Sequence, residues 1–216
     1  MSGGQPNATP HAASHPAQCH GYDTVDLTVL SRAERYKMLT GSVIPRPVAL
    51  VTTVSPSGRI NAAPFSQFVI IAVDPGILGI SIGPRPGGPK DTLVNIQRTG
   101  EFVINMVSDE WADTVQQCSD EFPADVSEVD TLNLGTVPSL CVQPPRIAGA
   151  KVQFECKLER IVEFGSAPNH FVAGEVVRMH VAQGLVTDCR VDAAAFAPLA
   201  RIGGRNYVRI GEVISV

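Results

Sequence analysis

The sequence predicts a mainly β protein: an antiparallel barrel with a few appended helices. Strand-length apolar or alternating runs recur at residues 48–54, 77–82, 101–107, 151–160, 170–181 and 206–210. Turn chemistry separates them, as in Ser55-Pro56-Ser57-Gly58, Asp74-Pro75-Gly76 and the Gly and Pro at 165 and 168. Helical patterns are few and do not alternate with the strands as βαβ units would. A Rossmann domain is disfavoured, because no GxGxxG follows the first strand.

Residues 1–25 are rich in Ala, Pro, His, Gln, Ser and Gly, with almost nothing to bury, and read as a flexible tail ahead of one domain spanning 26–216. His11, His15, Cys19 and His20 lack any regular element to position them, so no metal ligand is assigned there. Ser31-Arg32-Ala33-Glu34 has the form of a capping box, and Gly41 stands where a helix stops, which predicts a short helix over 32–40. The chain then passes Pro45-Arg46-Pro47 into the first strand.

Past the Ser-Pro-Ser-Gly turn, a second strand starts near Arg59. It carries Asn61, Pro64 and Ser66 among Ala, Phe and Ile, so polar groups and a ladder-breaking proline sit where a core strand would be uniformly apolar. Local rules failing together in one place mark a site. The third strand, 77–82, holds Ser81. A helix over 91–99 is capped by Asp91 and ended by Gly100, and another over 109–119 aligns Trp111, Val115 and Cys118. Residues 120–149 have weak periodicity and read as a long surface excursion. In 151–160, Val152, Phe154, Cys156 and Leu158 face one way. Lys151, Gln153, Glu155, Lys157 and Glu159 face the other, giving a sheet with one wet face.

Composition bounds the function. At 216 residues the chain buries a full core as one domain. Its net charge of -4 and scattered basic residues argue against a nucleic-acid partner. No apolar run approaches the ~20 residues of a membrane span, and the N-terminus has no secretory pattern, so a cytoplasmic protein is expected. The five cysteines are widely spaced without CxxC pairs, which predicts reduced, mostly structural thiols. Cys156 in particular reads as inert core.

The loop Gly83-Pro84-Arg85-Pro86-Gly87-Gly88-Pro89-Lys90-Asp91-Thr92 fails the phosphate-loop spacing, and its prolines lack the donors such a loop uses. A single phosphate monoester suits it better. Lys90 supplies charge, Thr92 a hydroxyl, and the first turn of the following helix unpaired N–H groups; Arg46 or Arg85 would give a second positive charge. Thr52 and Thr53 face opposite sides of the first strand, so one hydroxyl reaches the site whichever register holds. Glu175 reads as half of a buried ion pair, with Arg201 a possible partner. His180 ranks well below His170 as a functional histidine.

IPRPVALVTTV, GRINAAPFS, the Asp74-Pro75 turn, PKDTLVNI and GEFVIN, in this order, resemble the flavin reductase-like family of FMN-binding split-barrel proteins, and HFVAGEVV and PLARIGGRNY resemble its later strands. The resemblance covers residues 42–213. It implies a Greek-key split β-barrel, a homodimer and non-covalent FMN, with Lys90 and Thr92 at the phosphate. Asn61 and Ser66 become candidates for the rim of the isoalloxazine, and Arg46, Thr52, Thr53, Ser81 and Arg85 complete the candidate cofactor contacts. The resemblance also places His170 near flavin and nicotinamide, although a lone histidine is more often structural. The implied activity is hydride transfer from NADH or NADPH to flavin, then electron transfer to a partner enzyme, a small acceptor or oxygen. The alternative is an FMN-binding electron carrier, flavoredoxin-like, with no NAD(P)H activity of its own.

Overall fold

The computed structural model describes residues 21–120, 122 and 126–216. Helix α1 (Arg32–Ser42) leads to the two-residue strand β1 (Arg46–Pro47), then β2 (Ala49–Val54), β3 (Ile60–Phe65), β4 (Phe68–Val73) and β5 (Gly76–Ile82). Next come α2 (Asp91–Thr99), β6 (Glu101–Met106), α3 (Ala112–Gln117), α4 (Glu128–Thr131), β7 (Thr136–Val137) and β8 (Arg146–Ile147). Two long strands follow, β9 (Val152–Phe164) and β10 (Asn169–Val181). The chain closes through β11 (Val186–Thr187), β12 (Arg190–Val191), α5 (Ala193–Phe196), β13 (Leu199–Gly203) and β14 (Asn206–Arg209).

Seven strands form one antiparallel sheet in the order β3-β2-β6-β9-β10-β5-β4. Its two edge strands, β3 and β4, are joined only by Ser66 and Gln67. Because two residues span so little distance, the sheet must curl until its edges approach each other. No ladder joins those edges. The result is a split barrel, with neighbours out of chain order in Greek-key fashion.

The barrel interior holds Ala49, Val51, Phe65, Ile80, Ile82, Phe102, Ile104 and Val172, with Leu93 and Ile96 of α2 buried among them. Each of those two α2 side chains contributes about 1.5–3 kcal/mol by leaving water, which fixes the helix against the barrel. Gly100 ends α2 at φ 69. Gly174 is required where Phe102 crosses β10, since a Cβ there would lie 2.3 Å from the Phe102 ring; the ladder slips register beside it. A second cluster, including Val48, Leu50, Val115, Cys118 and Ile147, covers the other face of β2. That strand is buried on both faces, which explains its continuous apolar run.

Several expectations need correction. α1 has its capping box but runs through Gly41 to Ser42, closing where the Val43 N–H donates to Leu39 O. The single strand expected from Arg59 is two strands, and Ser66 lies in the connector between them. Lys90, not Asp91, is the N-cap of α2, and Asp91 turns to Arg85 instead. The helix expected over 109–119 begins as a 3-10 turn, Asp109–Trp111, and is regular only in α3. The last strand has a partner, β13, that periodicity did not reveal.

The described part of 120–149 is more than a surface excursion: residues 138–147 form a strap seated on β2, β6 and β9. Thr52 Oγ1 donates to Pro145 O at 2.6 Å, and Asn105 Oδ1 accepts from Ile147 N at 2.9 Å. The face of β9 that sequence alternation marks as wet is dry only under the strap, with Gln153 5% and Glu155 0% exposed, while Lys157 and Glu159 farther along it are exposed as expected. Glu175, expected in a buried ion pair, is exposed, and Arg201 bonds Tyr207 and Gly204 O instead. Cys118, Cys141, Cys156 and Cys189 are free thiols. Cys19, His11, His15 and His20 lie outside the described residues. Among the described residues no cluster of side chains suits a metal ion, and no helix is long and apolar enough to cross a membrane.

Candidate functional site

The site is built from the β3 edge and the start of α2. Among the described residues β3 pairs only with β2. Ser55 N donates to Arg59 O at 2.8 Å, so Arg59 and, by the two-residue period, Asn61 and Ala63 direct their backbone groups toward β2. Residues 60, 62 and 64 therefore point outward. In agreement, Ala62 N donates to Glu128 Oε2 at 3.1 Å and Ile60 O accepts from Ser127 Oγ at 2.8 Å. The missing donor of Pro64 falls on that outward side, where it removes no ladder bond.

On the interior face, α2 fastens its polar side chains to the strands. Asn61 Nδ2 donates to Thr92 Oγ1 at 3.0 Å, and Asn95 Nδ2 donates to Thr53 Oγ1 at 3.0 Å. Thr92 and Thr53 are buried, 1% and 0% exposed. Lys90 precedes them at the N-cap, its Nζ 5.5 Å from the centroid of the Phe65 ring. Leu93 N and Val94 N donate to Lys90 O, so the N–H groups of Asp91 and Thr92 precede the helix's own bonding and, with the dipole, favour an anion. Ser81 N donates to Gln67 O at 2.8 Å, tying the connector of half-buried Ser66 and exposed Gln67 to β5.

The charges of this region interlock. Arg85 grips Asp91 through two contacts of 3.2 Å, and both side chains remain about one-third exposed. Burial pushes the Glu128 carboxyl above its usual range; Asp91 acts in the same direction, while backbone N–H groups and Arg85 oppose it. Beneath it, burial and then Glu128 raise the Cys118 thiol to about 12, so it is an unreactive thiol at neutral pH. A helix start, an ammonium and a hydroxyl thus meet, an arrangement suited to a phosphate monoester.

Asn61, Thr92, Thr53, Lys90, Arg85, Ser66 and Ser81 are brought to this end of the barrel. Thr52 is not, since its hydroxyl faces the strap. Arg46 lies on β1, where its guanidinium donates to Thr40 O, Val43 O and Ile202 O, holding the end of α1 against β13. His170 pairs with Ile82 at the root of the 83–90 loop, and its Nε2 lies 3.3 Å from Glu163 Oε1. The hairpin carrying it borders the loop: a Cβ on Gly83 would meet Asn169 Oδ1 at 3.3 Å. Burial raises the Cys156 thiol strongly, in keeping with its place in the core.

Sequence reasoning missed Asn95, Phe65, Ser127 and Glu128. Asn95 was legible in principle, three residues after Thr92 on the same helix face. Ser127 caps α4, but the contact of α4 with β3 spans more than sixty residues of chain and leaves no local signal.

Comparison with known proteins agrees with this architecture. Residues 40–204 match the family described as Flavin reductase like domain. An uncharacterised protein of Halalkalibacterium halodurans is 40% identical over 192 residues, covering 87% of this chain and 92% of that one. Nitrilotriacetate monooxygenase component B from Bacillus cereus superposes with a TM-score of 0.87 at 33% identity, over 90% of this chain and 98% of its own. The 2-nitrobenzoate 2-nitroreductase NbaA of Pseudomonas fluorescens gives 0.82 at 34% identity, over 90% and 95%. On the match across residues 40–204 and these relatives, the chain belongs to the flavin reductase-like domain family.

Proposed function

We propose that this protein is an NAD(P)H-dependent flavin reductase that binds FMN non-covalently and passes electrons onward to an acceptor. The observation that carries this reading is the convergence of Lys90, Thr92 and the α2 N-terminus with the Asn61 to Ser66 edge. Lys90 and the first-turn N–H groups would hold the phosphate, and β3 would lie along the ring. Bound flavin would supply the redox chemistry, accepting a hydride and releasing electrons. The residues named here bind and orient it. Relatives described as a monooxygenase component and a nitroreductase, each about one-third identical, support an oxidoreductase.

The test is anaerobic mixing of the flavin-loaded protein with NADH and with NADPH while the flavin absorbance is followed. Rapid bleaching by either nucleotide is expected. Flavin that stays oxidised with both, yet is reduced by a protein donor, would make the protein an electron carrier instead.

A homodimer belongs to the same reading. β4 is a sheet edge with Val69, Ile70, Ile71 and Val73 exposed, beside an apolar cavity of about 520 Å³ lined by Phe68, Ile77, Met106, Phe154, Met179 and Phe196. Such an edge is a template for association unless covered. Light scattering should give twice the 22.9 kDa chain mass, and Ile70→Asp should reduce it to one chain.

A further inference from the structure

The loop 83–90 and the start of α2 are joined by a charge pair. Arg85 Nη1 and Nη2 each donate to one carboxylate oxygen of Asp91, both at 3.2 Å, so the guanidinium presents its fork end-on. Asp91 is the first residue of α2, next to the N-cap Lys90, and its carboxylate therefore stands at the helix start, where an anion is favoured. Both side chains are about one-third exposed, which makes the pair weak and open to a competing anion from solvent. A phosphate offers the fork the same two-oxygen geometry with more charge. Arg85 has room to follow it: the loop tip turns through Gly87 at φ 85 and Gly88 at φ 128, and a Cβ at either would meet no atom within 4 Å.

We propose that Asp91 is a specificity-determining residue of the flavin site: its carboxylate keeps Arg85 as an exchangeable partner and yields it to a ligand that brings a phosphate monoester. The inference rests on the flavin reading above and adds to it how the cradle tells phosphorylated from unphosphorylated flavin. With the pair closed, the charges of Arg85 and Asp91 cancel, and the cradle offers Lys90 with the N–H groups of Asp91 and Thr92. When the guanidinium turns to the phosphate, the site gains a second cation, and water solvates the part-exposed Asp91 carboxylate. Glu128 also feels both charges, but it is anchored on Ala62 N at 3.1 Å and is not the exchanging group. A ligand without a phosphate leaves the pair closed and gains nothing from Arg85. Apparent FMN affinity is lowered by the fraction of molecules in which the pair is closed, so removing the Asp91 charge strengthens binding only while Arg85 is present to use the phosphate.

The test is a double-mutant cycle read by fluorescence titration with FMN and with riboflavin. Asp91→Asn, confirmed as folded by its melting curve, should bind FMN about fivefold more tightly than wild type and riboflavin equally well. Arg85→Gln should weaken FMN about tenfold and leave riboflavin unchanged. In the Arg85→Gln background, Asp91→Asn should change FMN affinity by less than twofold. Asp91→Ser removes the same charge and gives a second reading of the cycle if the asparagine variant does not fold. A gain in FMN affinity below twofold from Asp91→Asn, or a loss, would show that the pair only braces the loop and would overturn the proposal. A gain as large without Arg85 as with it would make Asp91 a plain repulsive charge and would overturn it too. A wild type that binds neither ligand overturns the flavin reading itself.

Discussion

Thr52 and Thr53 are neighbours on β2, both fully buried, and each leads into a different kind of polar region. Thr52 faces the strap, where nearly every polar group is answered by the protein. Asn105 bonds Leu50 O and Ile147 N, Gln153 bonds Arg146 and Ile147 O, and Glu155 takes the N–H groups of Leu140 and Cys141 with His180 at 2.6 Å. Thr53 faces α2, where the hydrogen bonds instead steer side chains toward a helix start that keeps anion-binding capacity. The first region closes on itself and supports the fold. The second fastens α2 to β2 and β3 beside Lys90, the arrangement proposed above to hold a ligand.

The strongest way to test that division is Glu155→Ala. It removes the acceptor of two backbone N–H groups and a histidine that are part-buried, each unsatisfied group costing about 1–3 kcal/mol when water cannot replace the bond, so a loss of about 1–3 kcal/mol is expected in denaturant unfolding. Flavin affinity of the molecules that remain folded should be unchanged. A variant that unfolds normally but loses flavin would merge the two regions into one.

The buried Glu155 and the half-buried Glu128 also differ in the sign of their pH dependence. Burial tends to raise Glu155, but the N–H of Leu140, His180 and the N–H of Cys141 together hold it below its ordinary value of about 4.5. Its stabilisation is therefore present above about pH 4.5 and lost as pH falls through the lowered pKa. Glu128 is raised, so its contribution is present below about pH 4.5 and lost as pH rises through the folded value. Relative to wild type, Glu128→Gln should gain stability toward neutral pH, and Glu155→Gln should be most destabilised there. Melting curves between pH 4 and 8 would show the two differences moving in opposite directions.

On the cradle side, Lys90→Met should weaken FMN by about 1.5–3 kcal/mol, the range for hydrogen bonds to charged groups, and leave riboflavin nearly unchanged. Thr92→Val should show the same selectivity with a smaller loss. Ligand phosphate and side chain are the two arms of a double-mutant cycle, so general damage cancels. Equal weakening of both ligands would assign the cradle a structural part like that of the strap.

The same division explains what was legible in the sequence. β2, the Ser55 to Gly58 turn and α2 were readable because period, turn residues and a capping glycine act over a few positions. Pro64 and Asn61 stood out as violations of strand rules, and the outward direction of residue 64 is the physical reason the proline is tolerated. The dry face of β9 was not readable. Gln153 and Glu155 alternate with apolar residues as solvent-facing side chains do, and only the strap, brought from residues 138–147, turns that face inward. Glu128 escaped for the same reason. Wherever a buried polar group is satisfied by distant backbone, local pattern reports it as surface.

The smallest expected effect is that of His170, which belongs to neither network. Its Nε2 lies 3.3 Å from the exposed Glu163, and its place on β10 sets it beside Ile82, at the root of the loop that leads to Lys90. Hydride transfer between two stacked rings requires their alignment above all, so a histidine paired with Glu163 of its own hairpin is expected to contribute little to the transfer itself. His170→Asn retains a polar side chain of similar reach and should leave nucleotide-dependent flavin reduction within about tenfold of wild type, roughly 1.4 kcal/mol of barrier. The measurement is single-turnover reduction of bound flavin, which separates the transfer step from nucleotide binding and product release. A thousandfold loss with FMN still bound would move His170 into the reacting site, as a proton donor or a nucleotide contact, and would extend the cradle across the barrel end to the β9–β10 hairpin.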